Sequence, residues 1–299
     1  MLRWSDRVYG PVSIDDPPIL DLIATPTFQR LRGIKQAGPS ALAFPFKTVT
    51  RFEHSLGVYL LLGRLGAARR EQVAGLLHDV SHTAFSHAVD FLYDSEEQDH
   101  HEDLKPRFLE RPDMARAIGA LGYQPSDFFD DSIYPLLERP LPGLCADRVD
   151  YFLRDSLACG VLDASTAQKL LAHLAVVDRT IAFDQIEAAR LAVERFEVMN
   201  RDWWASPTEA YLYNEFADAL REGIRLGVLT PDDLLGDDEH VLAKLESAGS
   251  AWIDGKLGRI RMFELEWLEG FRPRVSPKTR RIDPIVVVDG RPRAYSQLA

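Results

Sequence analysis

The stretch LLHDVSHTAFSHAVD, residues 76–90, places three histidines and two aspartates among apolar side chains. His78 and Asp79 follow two leucines and precede Val80, so a carboxylate enters a run that should be buried. A buried carboxylate is costly unless it is paired or bound to a metal. The nearby residues offer imidazoles rather than Lys or Arg, and two imidazoles with a carboxylate are a usual ligand set for Zn, Mn or Fe. The stretch therefore predicts a metal site.

The sequence around this stretch is predominantly helical. Apolar residues recur at helical spacing over residues 51–66, 71–80, 144–157 and 207–227. Pro207 fits a first helical position. We also expect His82, four residues after His78, to share a helix face with it.

The C-terminal end differs from the rest of the chain. Residues 282–288, the turn signal Asp289-Gly290 and residues 293–296 predict a β hairpin, the one strand pair that the pattern indicates. The predicted fold class is therefore mainly α, a helical bundle with a small C-terminal β hairpin. Residues 272–299 carry a charge of +5 in a chain of net charge −11. This basic segment is either a solvated surface strand or a site for an anionic ligand or an acidic neighbouring subunit.

Composition excludes several classes of protein. The 299 residues allow one large domain or two smaller ones, and no apolar run approaches the ~20 residues that span a bilayer. Residues 1–9 are charged, so we expect no signal segment, and two cysteines cannot form a disulfide framework. An acidic chain binds nucleic acid poorly without a basic patch. We expect a cytoplasmic protein with no membrane association.

The helix predicted over residues 144–157 offers further polar groups. Asp147, Tyr151 and Asp155 are spaced i, i+4 and i+8, with Arg148 and Arg154 beside them. This face is either a salt-bridged surface or part of a site. Asp147 is a candidate for a further anionic metal ligand.

Four blocks make the chain resemble a known superfamily. They are FQRLRGIKQ (28–36), RFEHSLGV (51–58), the HD…H…FSH pattern (78–87) and DRVDYFLRD (147–155). The chain resembles the HD phosphohydrolases, and within them the deoxynucleoside triphosphate (dNTP) triphosphohydrolases, such as bacterial dGTPases and the sterile-alpha-motif HD-domain dNTPase. The resemblance implies an HD-domain bundle over residues 1–230, with its motif core at about 28–160. Residues 231–299 would form a C-terminal helical segment and a basic hairpin packed on it.

The resemblance also implies roles for individual residues. The implied metal ligands are His54, His78, Asp79 and Asp147. The implied catalytic group is His82, Asp90 and His101, and we expect Asp90 to bond to the His82 ring and raise its pKa. The implied phosphate-facing residues are Arg51, His87 and Arg148, and the implied sugar-side residues are Gln36, Tyr151 and Asp155.

The activity implied is hydrolysis of a dNTP to a deoxynucleoside and inorganic triphosphate, in a homo-oligomer. The metal would be Mn, Fe, Zn or Ni, with Mg as a further ion for the phosphates. Ala24 replaces a guanine-reading aspartate of activator-controlled members, so we do not expect the same activation. The alternatives are another HD phosphohydrolase (a nucleoside monophosphatase, or an alarmone or cyclic-nucleotide hydrolase) and a non-catalytic nucleotide- or nucleic-acid-binding module.

Overall fold

The computed structural model describes residues 1–298, and helices dominate it. The α-helices are α1 (Pro17–Ile23), α2 (Pro26–Gln29), α3 (Ser40–Ala43), α4 (Arg51–Arg64), α5 (Arg69–Leu77), α6 (Ala88–Leu92), α7 (His100–Leu109), α8 (Pro112–Ala120), α9 (Ala146–Ala158), α10 (Ala164–Ala172), α11 (Ile186–Met199), α12 (Pro207–Arg225), α13 (Asp238–Glu246) and α14 (Ala251–Arg261). The strands are β1 (Leu2–Asp6), β2 (Gly10–Ile14), β3 (Leu174–Val177), β4 (Thr180–Phe183), β5 (Ile285–Val288) and β6 (Arg291–Ala294). A π-helical turn, Asn200–Trp204, directly follows α11. The mainly α fold class is confirmed.

Helix α4 begins at Arg51 because Thr50 and Glu53 cap it reciprocally. The Glu53 backbone N–H donates to Thr50 Oγ1 (3.2 Å), and the Thr50 N–H donates to the Glu53 carboxylate (3.1 Å). Helices α9 and α12 likewise lie where the spacing predicts them, and Pro207 occupies the first position of α12. These three helices are therefore confirmed, with ends within two residues of the prediction.

Helix α5 ends earlier than its apolar pattern predicts. The chain turns at His78, and Phe85 and Ser86 adopt left-handed φ angles of 57° and 54°. The Phe85 N–H donates to the Asp238 carboxylate (2.6 Å), which holds this uncommon conformation. The expectation that His82 shares a helix face with His78 is wrong, because His82 lies in the turns that follow the helix.

Helices α4 and α9 approach closely at Gly57. A Cβ atom there would overlap the side chains of Asp150 and Arg154. The missing side chain therefore lets α9 place its polar groups directly against α4. This contact brings His54 of α4 next to Asp147 of α9.

The strands form two small sheets. Strands β1 and β2 pair antiparallel, and a second sheet has the order β3-β4-β5-β6, with β4 and β5 parallel. The C-terminal hairpin is confirmed, with left-handed Asp289 and Gly290 at its turn. The expectation of no other strand pair is wrong, because strands of four or five residues leave little alternation to read. The β3–β4 turn, Asp178-Arg179, also lacks the glycine that would signal it.

Two large apolar cores and a third cluster of four residues hold the elements together. The larger core joins α4, α5, α9 and α11 to β4 and β5, and the smaller core joins α6 to α12, α13 and α14. Residues on both sides of position 230 contribute to each core, and the division into 1–230 and 231–299 stays a prediction. Within residues 1–298, no helix has both the length and the apolar character that crossing a bilayer would require. The cytoplasmic location stays a prediction.

Candidate active site

Two histidines and two aspartates meet where α4, the end of α5 and α9 converge. His54 Nε2 lies 2.8 Å from Asp147 Oδ1, 3.2 Å from His78 Nε2 and 3.7 Å from Asp79 Oδ2. His78 Nε2 lies 3.5 Å from both Asp79 Oδ1 and Asp147 Oδ1. We call these four residues the metal cluster. The fold thus brings together the four side chains that the sequence predicts as ligands.

The donor set of the metal cluster fits a cation. His54 Nδ1 donates to Asp150 Oδ1 (2.8 Å), and His78 Nδ1 donates to the Gly75 carbonyl (2.8 Å). A neutral imidazole that carries its proton on Nδ1 presents a lone pair at Nε2. If both rings are neutral, they direct lone pairs at each other and at two carboxylates, which is repulsive unless a cation, or a proton on His54, lies between them. Two imidazole nitrogens and two carboxylate oxygens suit a divalent transition metal.

The charges around the metal cluster agree with this geometry. Burial opposes a charge on His54, but hydrogen bonds with Asp147 and Asp150 raise its pKa to about 10. Burial also opposes a charge on Asp79, but Arg51, which donates to Asp79 Oδ2 (2.8 Å), holds the pKa of that carboxyl well below its usual value. The carboxylates are ionised, and the site favours positive charge.

Asp150 anchors His54 from the protein interior. Its fully buried carboxylate accepts hydrogen bonds from His54 Nδ1 (2.8 Å), Arg154 Nε (2.7 Å) and Tyr9 Oη (2.6 Å). Arg154 is also fully buried and donates to Asp6 of β1 (3.0 Å). Such outer partners fix the tautomer and the orientation of a metal-binding imidazole. The N-terminal hairpin thus supports the metal cluster.

Three further histidines lie beside the metal cluster. The rings of His82 and His101 stack at a centroid distance of 4.0 Å, and His87 stands edge-on to both. The expected bond between Asp90 and His82 is wrong, because the first turn of α6 brings Asp90 to His87 Nδ1 (2.9 Å) instead. His82 Nε2 lies 3.2 Å from Asp79 Oδ1.

The pKa values of the stacked pair also differ from the expectation. Burial, with the charge of Arg51, lowers the pKa of His82 to about 3. Burial, with the neighbouring His82 and His87, lowers the pKa of His101 well below its usual value. Nδ1 of His82 and Nδ1 of His101 are buried and have no hydrogen-bond partner among residues 1–298. Each ring therefore has a free nitrogen beside the metal cluster.

The three predicted phosphate-facing residues already have protein partners. Arg51 contacts Asp79, and His87 contacts Asp90. Arg148 Nη1 donates to two backbone carbonyls of the loop before α9, at 3.0 and 2.6 Å. All three side chains still reach the cavity described below.

Two of the three predicted sugar-side residues, Tyr151 and Asp155, lie on α9 beside the π-helical turn. Asp155 Oδ2 accepts a hydrogen bond from Trp204 Nε1 (2.9 Å), and the Tyr151 ring is edge-on to Trp204 at 5.1 Å. Gln36 Oε1 is buried and has no hydrogen-bond partner in the described part of the chain. Because α9 rises ~1.5 Å per residue, Asp155 lies ~12 Å along the helix from Asp147.

One cavity of about 650 Å³ collects these side chains. Every site residue predicted from the sequence lines it except Asp90, which contacts His87. Its volume falls within the range of roughly 300–1,000 Å³ that is usual for small-molecule sites. The predicted site residues therefore surround one common space.

Comparison with known proteins identifies the family. The HD domain model matches residues 51–153, which contain the whole metal cluster. Over 293 residues the chain is 37% identical to the uncharacterized protein YdhJ of Bacillus subtilis, a match that covers 96% of this chain and 89% of YdhJ. The chain belongs to the HD-domain phosphohydrolase superfamily. The HD domain is thus the part of the chain that carries the metal cluster.

Other relatives of this HD-domain protein have named activities. The metal-dependent phosphohydrolase cns2 of Cordyceps militaris is 34% identical over 229 residues, covering 74% of this chain and 66% of cns2. The deoxynucleoside triphosphate triphosphohydrolase SAMHD1 homolog of Dictyostelium discoideum is 31% identical over 211 residues, covering 60% of this chain and 40% of the homolog. The chain thus spans less than half of that relative.

A solved structure shares the fold. The crystal structure of a hypothetical protein from Aquifex aeolicus has a TM-score of 0.74 with this chain at 23% sequence identity. The match covers 100% of this chain and 92% of the other. The fold therefore extends well beyond the HD match.

Sequence reasoning missed several residues of this HD-domain site. Asp150 lies three residues after Asp147 in the DRVDY block, so its helical spacing was an available signal. Lys278 and Arg280 line the cavity from the basic C-terminal segment, whose charge pointed to an anion site without locating it. Trp203 reaches the cavity from the π-helical turn, and no pattern in the sequence signalled that.

Proposed function

We propose that this HD-domain protein hydrolyses a deoxynucleoside triphosphate to the deoxynucleoside and inorganic triphosphate. One observation carries the proposal: a single cavity contains the metal cluster, the stacked histidine pair and the residues that the superfamily pattern assigns to a deoxyribose. The Dictyostelium relative, whose name states this activity, adds support.

The metal cluster would hold a divalent ion, for which Mn, Fe, Zn and Ni are the candidates, with Mg beside the phosphates. A bound divalent cation acidifies water and polarises phosphoryl oxygens. The chain itself supplies orientation: Asp150 fixes the His54 ring, and Arg51 keeps Asp79 ionised. These contacts prepare the cluster to bind a cation in a fixed geometry.

Cleavage between the α-phosphorus and the 5′ oxygen requires a proton on the leaving oxygen. His82 and His101 would hold it, because each ring has a free Nδ1 and the stacked pair lies beside the metal cluster. Burial lowers both pKa values in the free protein, so this role requires the negative phosphates of a bound substrate to raise them. Asp90 would act on this pair through His87, whose ring lies 5.0 Å from that of His82.

The wall formed by α9 would receive the sugar. Asp155 and Gln36 both present oxygen acceptors, which suit the 3′-OH of the substrate. Tyr151 lies between Asp147 and Asp155 on the same helix face, so its ring would pack against the deoxyribose. A 2′-hydroxyl would then meet an aromatic edge rather than a polar partner.

A substrate panel tests the proposal. The metal-loaded protein is incubated with dNTPs, ribonucleotides, nucleoside monophosphates, an alarmone and a cyclic nucleotide, and the products are separated. We expect a deoxynucleoside and intact triphosphate from the dNTPs. Asp147→Asn is the matched control, because it changes one ligand by a single atom. If only the nucleoside monophosphates react, and they release orthophosphate, the protein is a phosphatase and the proposal is wrong. If no substrate gives a product, a binding module is favoured instead.

A further inference from the structure

A short irregular segment of the C-terminal region borders the active-site cavity. We call residues 275–282 the strap. Both of its ends are buried, Val275 beside α12 and Ile282 in the larger core. Between them, Pro277, Lys278 and Arg280 line the cavity. The strap is therefore fixed at both ends with its middle at the active site.

The backbone of the strap is also held between its ends. The Arg280 N–H donates to Asn200 Oδ1 (2.7 Å), and Gln98 Nε2 donates to the Ser276 carbonyl (3.0 Å). Asn200 begins the π-helical turn that carries cavity-lining tryptophans. These contacts locate the side chains of the strap relative to the cavity wall.

Two of the three cations of the strap line the cavity. Lys278 and Arg280 line the cavity, whereas Thr279 and Arg281 do not. Residues 278–280 belong to no helix, and the Cα atoms of residues two apart are at most ~7 Å from each other. Two cations at this separation can contact neighbouring phosphates of one polyphosphate chain.

These two cations differ from the other cations of the cavity in having no carboxylate partner within 4 Å among residues 1–298. The other cavity cations all have carboxylate partners: Arg51 contacts Asp79, Lys47 contacts Glu209, Lys105 contacts Asp131, and Arg148 lies 3.5 Å from Glu138. Arg280 Nη1 donates instead to the backbone carbonyl of Lys278 (3.2 Å). Glu102 also lines the cavity but forms no ion pair with Lys278. Uncompensated positive charge in the cavity is therefore concentrated on the strap.

The position of Arg280 places this charge near the proposed reaction centre. Burial lowers the pKa of His87, and the charges of Arg51 and Arg280 lower it further. Arg280 and His87 line the same cavity and lie within electrostatic range of each other. A guanidinium and an ammonium in this position suit phosphate oxygens, which form strong charge-assisted hydrogen bonds with both.

We propose that Lys278 and Arg280 bind the β- and γ-phosphates of the substrate, so that the strap forms a polyphosphate site outside the HD match. The assignment rests on the proposed function, because it places the α-phosphate at the metal cluster. It accounts for two of the seven basic residues of the C-terminal segment.

The test measures binding separately from hydrolysis. The metal-loaded full chain is titrated calorimetrically with magnesium triphosphate and with orthophosphate. Lys278→Ala/Arg280→Ala should weaken triphosphate binding on the order of 10- to 100-fold, with a much smaller effect on orthophosphate. Arg281→Ala, the control, removes one positive charge from the same strap but none from the cavity, so it should stay within about twofold of the wild type.

Equal triphosphate affinity in the double variant and in the Arg281→Ala control would overturn the proposal, as would a wild type that binds no triphosphate. If the double variant is less stable than the wild type, the triphosphate affinity of Lys278→Ala decides the test. The Lys278 side chain is exposed and makes no hydrogen bond, so its removal should not affect folding. Hydrolysis then separates the two proposals. If the double variant stays active with an unchanged KM for dNTPs, the strap proposal fails and the proposed function stands. If the wild type hydrolyses no dNTP but the double variant still loses triphosphate binding, the proposed function fails and the strap proposal stands.

Discussion

Replacing Asp150 with asparagine would test how the protein interior supports the metal cluster. The substitution keeps the shape of the side chain but removes its charge and turns one acceptor into a donor. The buried carboxylate accepts three hydrogen bonds of 2.6–2.8 Å, from His54, Arg154 and Tyr9. Arg154 would keep Asp6 as its one carboxylate partner. Breaking a buried ion pair costs ~3–5 kcal/mol, and losing an outer partner of a ligand weakens metal binding ~10- to 100-fold.

Two measurements separate these effects. Urea unfolding in EDTA gives the free energy of unfolding without metal, and competition with a chelator gives metal affinity. Asp147→Asn is the control: its side chain is 23% exposed and contacts no arginine. We expect Asp147→Asn to lose metal binding with a smaller loss of metal-free stability than Asp150→Asn. If Asp150→Asn unfolded in EDTA with the wild-type free energy, or bound metal as tightly as the wild type, the supporting role of Asp150 would be refuted.

Three further predictions concern the proton, the sugar and pH. His82→Ala and His101→Ala should each keep the metal and the fold but lose on the order of 10²–10⁴ in kcat on the best substrate; metal-replete variants with near wild-type turnover would exclude them from catalysis. Hydrolysis should favour dGTP over GTP and over 2′,3′-dideoxy-GTP, and Asp155→Ala should remove the second preference; equal wild-type rates on all three nucleotides would contradict the sugar assignment. Burial raises the pKa of Asp238 to about 7, above its unfolded value of ~3.9, so its contribution to the free energy of unfolding should fall as pH rises between these values. The free energy of unfolding, measured with urea, should therefore fall less between pH 5 and pH 8 in Asp238→Asn than in the wild type. An equal fall in both proteins would exclude Asp238 as its source.

The metal cluster could be predicted because its chemistry is local. His78 and Asp79 are adjacent, and His54 and Asp147 lie on helices whose apolar spacing is long and regular. Packing those helices against each other leaves few places for the buried polar groups. The sequence therefore indicates which residues form the cluster and that they lie together in the fold.

The contacts that could not be predicted depend on distant parts of the chain. The turns carrying His82 are held by Asp238, more than 150 residues away, so the local apolar pattern wrongly continued α5. The same turns decide that Asp90 meets His87. The strap cations reach the cavity through tertiary anchoring at Asn200, which no spacing within the strap reveals.

The first hairpin has a consequence for anyone who prepares fragments of this protein. A fragment cut at residue 51, where the family match starts, would retain all four metal ligands. It would lack Asp6 and Tyr9, which contact Arg154 and Asp150 behind the His54 ring. The buried guanidinium would then face a surface opened to water. The smallest fragment that keeps the metal ligands correctly positioned therefore starts at β1, some fifty residues before the motif that identifies the family.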